Sequence, residues 1–188
     1  MRAYYRVLSA LAGLALASVA AVAFAATPSV EGTPVPTPPK PDFSSMQFLI
    51  GTWTCTDMSS RRPGPFTTTQ TYTMDPSGYW IVREDVIHKA SWIPQEVRST
   101  TKYTWDAGAK AWVRITTGQF GGYSVATAPM PQGQQKTYTY VAQTKTPDIA
   151  SYAPEVYTAV SPTKKTMTTS FTETSGRVVN VTETCTKG

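Results

Sequence analysis

Short segments of alternating apolar and polar side chains run through most of the chain after residue 42. In residues 97–105 the even positions are all arginine, lysine or threonine, while Val97, Tyr103 and Trp105 share the opposite face. This period of two is typical of a strand with one face toward a core and one toward water. Together with enrichment in Thr, Val, Tyr, Trp and Ile, the pattern predicts strands at 48–57, 66–74, 79–88, 97–105, 111–117, 123–128, 136–144, 155–160, 165–173 and 177–186.

The connections between these segments carry turn chemistry, as in "DPSG" at 75–78, "DAGAK" at 106–110, "SPTKK" at 161–165 and "TSG" at 174–176. Short turns between consecutive strands imply antiparallel neighbours, so we expect a meander. The strand count alone leaves a sandwich and a barrel open. One short helical turn, capped by Ser44 or Ser45, is expected before the first strand.

The first 42 residues lack the strand pattern. Residues 1–25 contain Arg2 and Arg6, an apolar run rich in alanine, and a final Ala23-Phe24-Ala25, which together predict a cleaved signal peptide. A transmembrane anchor is the alternative. The cleavage site favours removal of this segment instead, so we expect no stable membrane anchor. Residues 26–42 are rich in proline and predict an extended linker. Residues 43–188 then form one domain, which a bacterium exports to the periplasm or secretes.

The charge of the chain does not predict a nucleic-acid partner. Removing Arg2 and Arg6 lowers the basic count from 17 to 15, against 12 acidic residues, so the mature net charge is about +3. The basic residues are scattered, whereas a nucleic-acid surface needs them clustered. The oligomeric state is left open.

The two cysteines decide between sandwich and barrel. Cys55 lies on the first predicted strand and Cys185 on the last. An exported chain with two cysteines, no CxxC and a single histidine predicts a disulfide rather than a metal site. Bonded cysteines have Cα atoms within about 7 Å, so the first and last strands must be neighbours. In a meander this closes an antiparallel β-barrel of eight to ten strands.

The disulfide also predicts a register. If Cys55 faces Cys185 in an antiparallel pair, Trp53 faces Lys187 on the same side of the sheet. We expect Gly51 to permit a close approach at the bottom of the barrel, Trp53 to plug it and the disulfide to fix the seam.

These residues carry a resemblance to known families. Gly51-x-Trp53 resembles the signature of the calycin group, which includes lipocalins and fatty-acid-binding proteins and implies a basic residue, here Lys187, over the tryptophan. The segments "MQFLIGTWTC", "FGGY" and "VTETCTK" are similar to an uncharacterised family of exported bacterial barrel proteins with an FL-x-G-x-W opening and a terminal ETCTK. The opening also resembles nitrobindin-like haem barrels, but their haem-binding histidine near the C-terminus has no counterpart, because His88 is the only histidine.

Candidate ligand-binding residues are mainly aromatic side chains on predicted strands, which could line a barrel cavity. Glu84 shares a face with Trp80; if that face is inward, Glu84 is a buried acid paired with Arg114, and if it is outward, Glu84 meets water. Phe120 lies in a glycine-rich loop that could close the barrel mouth. The candidates are Trp80, Glu84, Tyr103, Trp112, Arg114, Phe120, Tyr123 and Tyr138.

Three functions remain open. The first is a non-enzymatic protein that binds a small, partly apolar molecule in the barrel interior. The second is an enzyme that uses the same cavity, with Glu84, Arg114 and a tyrosine as acid–base groups; no nucleophile, metal or cofactor motif supports it, so no cofactor and no metal are expected. The third is a filled barrel that binds a protein or glycan through its surface.

Overall fold

The computed structural model describes residues 37–133, 135–144 and 146–188, so the predicted signal peptide and most of the predicted linker lie outside the described residues. A 3₁₀ helix spans Ser44–Leu49, and no helix in this part of the chain is long and apolar enough to cross a membrane. The described residues form β1 (Gly51–Ser59), β2 (Phe66–Met74), β3 (Ile81–Ile87), β4 (Val97–Asp106), β5 (Ala111–Gly118), β6 (Tyr123–Ala128), β7 (Thr137–Ala142), β8 (Ile149–Tyr152), β9 (Glu155–Ser161), β10 (Lys164–Glu173) and β11 (Val178–Lys187).

The strands close into a barrel. They pair antiparallel in chain order from β1 to β7, and the ring continues through β9, β10 and β11 back to β1. The prediction of an all-β antiparallel meander barrel of eight to ten strands is confirmed, with ten strands in the ring. Strand β8 pairs with the second half of β10. It was not predicted, because its four residues, between Pro147 and Pro154, are too short to show alternation.

The seam between β1 and β11 has the predicted register. Cys55 and Cys185 face each other and form a disulfide across 130 residues of sequence. Trp53 faces Lys187 in the same ladder. Closure leaves neither the first nor the last strand with an unpaired edge along the seam, which removes a template for aggregation.

Trp53 fills the end of the barrel at which β1 begins, called here the closed end. Its side chain is fully buried and its Nε1 donates to the carbonyl of Leu49 at 2.7 Å. The Lys187 ammonium lies 5.5 Å from the centre of the Trp53 ring and donates to the carbonyl of Phe48 at 3.0 Å. Gly51 has a φ of +118°, and a Cβ at this position would lie 2.9 Å from Cε of Lys187. The backbone conformation therefore favours glycine at residue 51, and a larger residue would also have to displace the end of the Lys187 side chain.

The 3₁₀ helix covers the closed end, but serine side chains do not cap it as expected. The carboxylate of Asp42 accepts a hydrogen bond from the Ser44 amide at 2.9 Å instead. Ser45 is buried and accepts a hydrogen bond from the hydroxyl of Tyr138 inside the barrel. The helix is thereby hydrogen-bonded to β7.

Residues 38–42, predicted as the end of the linker, contact the barrel. The compact unit begins at Pro38. The hydroxyl of Tyr79 donates to the carbonyl of Pro38 at 2.6 Å, and the Lys40 ammonium lies 5.9 Å from the Tyr79 ring centre. The prolines of residues 38–42, together with Trp105, line a surface cavity of about 410 Å³.

Candidate functional site

The faces of β3 decide between the two positions left open for Glu84. Ile81, Arg83 and Asp85 are buried, whereas Glu84 is exposed and accepts a hydrogen bond from Thr100 at 2.9 Å. Glu84 therefore lies on the outside, as in the second alternative, and the partner of Arg114 is Glu155 instead. Neither face of this segment was clearly apolar in the sequence because the inward face itself carries charges. Trp80 lies just before β3, outside the buried core cluster.

Four of the predicted candidates do lie inside the barrel. Tyr103, Trp112, Arg114 and Tyr138 are each at most 5% exposed. The ring centres of Trp112 and Tyr138 are 6.3 Å apart, and the guanidinium of Arg114 is paired with the carboxylate of Glu155 through two hydrogen bonds. These side chains pack against one another, so any role in ligand binding stays a prediction.

The interior leaves little free space. Its cavity has a volume of about 30 Å³ and is lined largely by tyrosines and Lys165. A water molecule needs roughly 10–15 Å³ on this measure, whereas pockets for small organic ligands measure about 300–1,000 Å³. The interior therefore has room for one or two water-sized guests.

A buried polar network that the sequence did not indicate borders this cavity through Lys165 and Tyr72. The ammonium of Lys165 donates to the hydroxyl of Tyr72 at 2.9 Å and to the carbonyl oxygen of Gln70, and lies 3.5 Å from the carboxylate of Glu183. Gln70 in turn donates to Glu183 at 2.7 Å. Burial lowers the pKa of Lys165 to about 8, although the negative charge of Glu183 opposes the shift.

Asp57 and Glu183 form a pair of acids directly above the disulfide. They face each other across β1 and β11, one inward position beyond Cys55 and Cys185. Burial raises the pKa of Asp57 to about 7, against the hydrogen bond from Thr68 at 2.6 Å, and the charge of Glu183 adds to the rise.

Two arginine–carboxylate pairs complete the interior. Nε of Arg83 donates to Asp85 at 2.9 Å. Burial raises the pKa of Asp85, although the charge of Arg83 opposes it. Burial acts in the same direction on Glu155, but the hydrogen bonds and charge of Arg114 outweigh it, so the pKa of Glu155 is lowered. These charges are costly to bury and depend on their partners.

A larger cavity lies at the opposite end of the barrel, called here the open end, where β1 ends. Its volume is about 360 Å³ and it opens to solvent. Phe66 and Trp92 meet edge to face with ring centres 5.1 Å apart, and the guanidinium of Arg62 lies 4.9 Å from the centre of the Trp92 ring. Phe120 is 72% exposed. The mouth cavity is lined by Arg62, Phe66, Ile87, Trp92, Ile93, Pro94, Gln95, Val97 and Phe120.

Phe120 is the predicted candidate that lines the mouth cavity, whereas Tyr123 does not. Tyr123 is 70% exposed, and the buried residues of β6 are Ala126 and Ala128, which alternate with it. Its side chain is therefore on the outer face of the sheet. The loop that carries Trp92 was missed because residues 89–96 have no strand pattern and no recognised motif.

One group of potential metal ligands lies within the described residues. Cys55, Cys185 and Glu183 have their ligand atoms within 4.8 Å of one another. The two sulfurs are bonded to each other, so they do not provide the thiolates that metals bind. The donor set does not fit a metal.

The ring of ten antiparallel strands, with a tryptophan at its closed end between a lysine and a 3₁₀ helix, defines a calycin-like barrel. No protein-family model and no curated protein matches the chain. One solved structure, described as "Structure of EF1p2_mFAP2b bound to DFHBI", is similar over 78% of this chain and 99% of that chain, with 14% identity and a TM-score of 0.43. A likeness at this level assigns no ligand to this chain.

Proposed function

We propose that this protein is an exported, non-enzymatic binding protein for a small, partly apolar molecule, which it holds at the open end of the barrel. The observation that carries the proposal is the mouth cavity, whose volume of about 360 Å³ is that of a small-ligand pocket. Its wall combines three aromatic rings, aliphatic side chains and few polar groups. Such a wall favours a ligand with an apolar body.

The mouth suits a ligand better than the deep interior that the sequence suggested. A ligand of a few hundred daltons inside the barrel would have to displace tyrosines and separate paired charges such as Arg114 and Glu155. Separating a buried ion pair costs several kcal/mol. At the mouth, Phe120 already stands 72% exposed and needs no displacement from a core.

Export and family membership are parts of the same proposal. The signal-peptide pattern of residues 1–25 and the proline-rich segment after it support export to the periplasm or the medium. The FL-x-G-x-W opening and the ETCTK ending support membership of the exported bacterial barrel family.

Native mass spectrometry of the mature protein, purified from its own exported fraction, tests the proposal. We expect an additional mass of a few hundred daltons that is lost on denaturation. The same protein carrying Phe120→Ala should retain less of this mass, because part of the cavity wall is removed. Tyr123→Ala is the matched control, since Tyr123 is equally exposed but lies outside the cavity. Equal retention in both variants would place the ligand elsewhere.

The small interior cavity favours a second candidate, a filled barrel that binds a protein or glycan through its outer surface. A clean apo mass together with no binding of apolar dyes at the mouth would support it. An enzyme that used Lys165 or one of the interior tyrosines would need substrate access to a cavity of about 30 Å³, so we do not favour this function.

A further inference from the structure

Several arginines at the open end are paired with carboxylates, but the arginine at the mouth cavity is not. Arg61 and Arg177 pair with Glu173 at 3.1 and 2.8 Å. Arg98 pairs with Glu96 at 3.1 Å. Within the described residues, Arg62 has no such carboxylate partner, and it is the charged side chain among the residues that line the cavity.

Trp92 contacts the guanidinium of Arg62 through its ring, and this contact does not require the hydrogen-bond donors of the guanidinium. The guanidinium carbon lies 4.9 Å from the ring centre, which is cation–π range. Within the described residues the guanidinium makes no side-chain hydrogen bond, so its N–H groups are available to an acceptor. Phe66 contacts Trp92 edge to face at 5.1 Å, so the indole is itself supported.

The backbone around Arg62 is also ordered. Its amide donates to the carbonyl of Ser59 at 2.9 Å, and its carbonyl accepts from the amide of Gly64 at 3.0 Å. These hydrogen bonds fix the turn after β1, so the side chain starts from a defined position. Less conformational entropy is then lost when the guanidinium binds an anion.

The composition of the cavity wall does not suit a cationic ligand. The other lining residues are apolar or, in Gln95, neutral. The face of Trp92, which could attract a ligand cation, already carries the guanidinium of Arg62. A positive ligand would meet a like charge with no carboxylate to offset it, whereas an anionic group would meet an unpaired guanidinium.

We infer that the mouth cavity binds an amphipathic anion: a flat aromatic body against Phe66, Trp92 and Phe120, with one carboxylate or sulfonate group on Arg62. This inference rests on the proposed function and adds the charge class of the ligand. Arg62 is then the residue that determines specificity, and the aromatic side chains supply apolar contact.

Two dyes with the same ring system and different charge test the inference: anilinonaphthalene sulfonate, an anion, and phenylnaphthylamine, which is neutral. We expect the intact mature protein to bind the anion roughly ten-fold more tightly, since a hydrogen bond to a charged group contributes about that factor. Binding of the anion should weaken with added salt, and binding of the neutral dye should not.

Arg62→Gln should abolish the preference for the anion and leave the affinity for the neutral dye unchanged. Arg61→Gln is the matched control, because Arg61 is the neighbouring arginine, pairs with Glu173 and does not line the cavity. Equal binding of both dyes by the unaltered protein, or equal effects of the two variants, would overturn the inference and leave the binding function standing. Failure of both dyes to bind would overturn the binding function and the inference with it.

Discussion

The two ends of the barrel each place a cation over a tryptophan, with opposite surroundings. At the closed end Trp53 is fully buried, and the Lys187 ammonium above it is bonded to the carbonyl of Phe48. At the open end Trp92 is partly exposed, and Arg62 above it has no carboxylate partner among the described residues. The first pair completes a core, and the second lies beside a cavity of about 360 Å³. From this contrast we expect the closed-end pair to contribute more to stability than the open-end pair, which borders the proposed binding cavity.

The largest effect is expected from the seam that holds the closed end together. Replacing Cys55 and Cys185 by alanine should lower the free energy of unfolding by about 4–5 kcal/mol, since the cross-link restricts a long loop in the unfolded chain. Urea unfolding of the two forms measures the difference. Two titratable thiols in the denatured, non-reduced protein would contradict the disulfide itself.

The two tryptophans test the contrast directly. Trp53→Ala should cost about 3–5 kcal/mol, because it removes a fully buried ring. Trp92→Ala should cost roughly 1 kcal/mol, because the ring is partly exposed. Equal losses in urea unfolding would show that the two ends do not differ in their contribution to stability.

The buried acids between the two ends predict an unusual dependence of stability on pH. The pKa of Asp57 is raised from 3.8 to about 7 by burial, so the folded protein holds a proton that the unfolded chain loses between these values. This contribution is fully present below pH 3.8 and is lost as the pH rises through about 7. The free energy of unfolding should fall by an amount on the order of 4 kcal/mol over that range, since one pKa unit corresponds to about 1.4 kcal/mol.

Lys165 acts in the opposite direction at higher pH. Burial lowers its pKa from 10.5 to about 8, so stability should rise between these values and pass through a minimum near pH 7 to 8. Urea unfolding as a function of pH measures this profile. Asp57→Asn should flatten the fall, whereas Glu84→Gln, on the outer face, should leave it unchanged. An unchanged slope in Asp57→Asn would mean that other groups hold the proton.

The smallest effect on stability is expected at the open end. Phe120→Ala should change the free energy of unfolding by less than about 0.5 kcal/mol, because the ring is 72% exposed. Calorimetric or chemical unfolding measures it. A loss of several kcal/mol would mean that Phe120 belongs to a core and not to a binding surface.

The sequence predicted the strands of the barrel better than the residues that lie inside it. Turn residues and alternation located the ten ring strands, and the two cysteines gave the register of the seam. Alternation identifies the inward face only when that face is apolar, and in β3 the inward face carries Arg83 and Asp85. The buried acids at the seam could have been predicted from the sequence. Asp57 and Glu183 each lie two residues from a cysteine on the same strand, so their side chains are on the same face of the sheet as Cys55 and Cys185. The mouth cavity depends on loops whose positions no local pattern encodes.

The position of the disulfide has a consequence for the order of folding. The two cysteines that it joins are 130 positions apart, so the pairing of their strands is among the most non-local contacts of the chain and is expected to form late. Until β11 is present, β1 has one edge without a partner, and such an edge invites pairing with other chains. The Cys55–Cys185 bond can then form only in molecules in which β11 has already paired with β1.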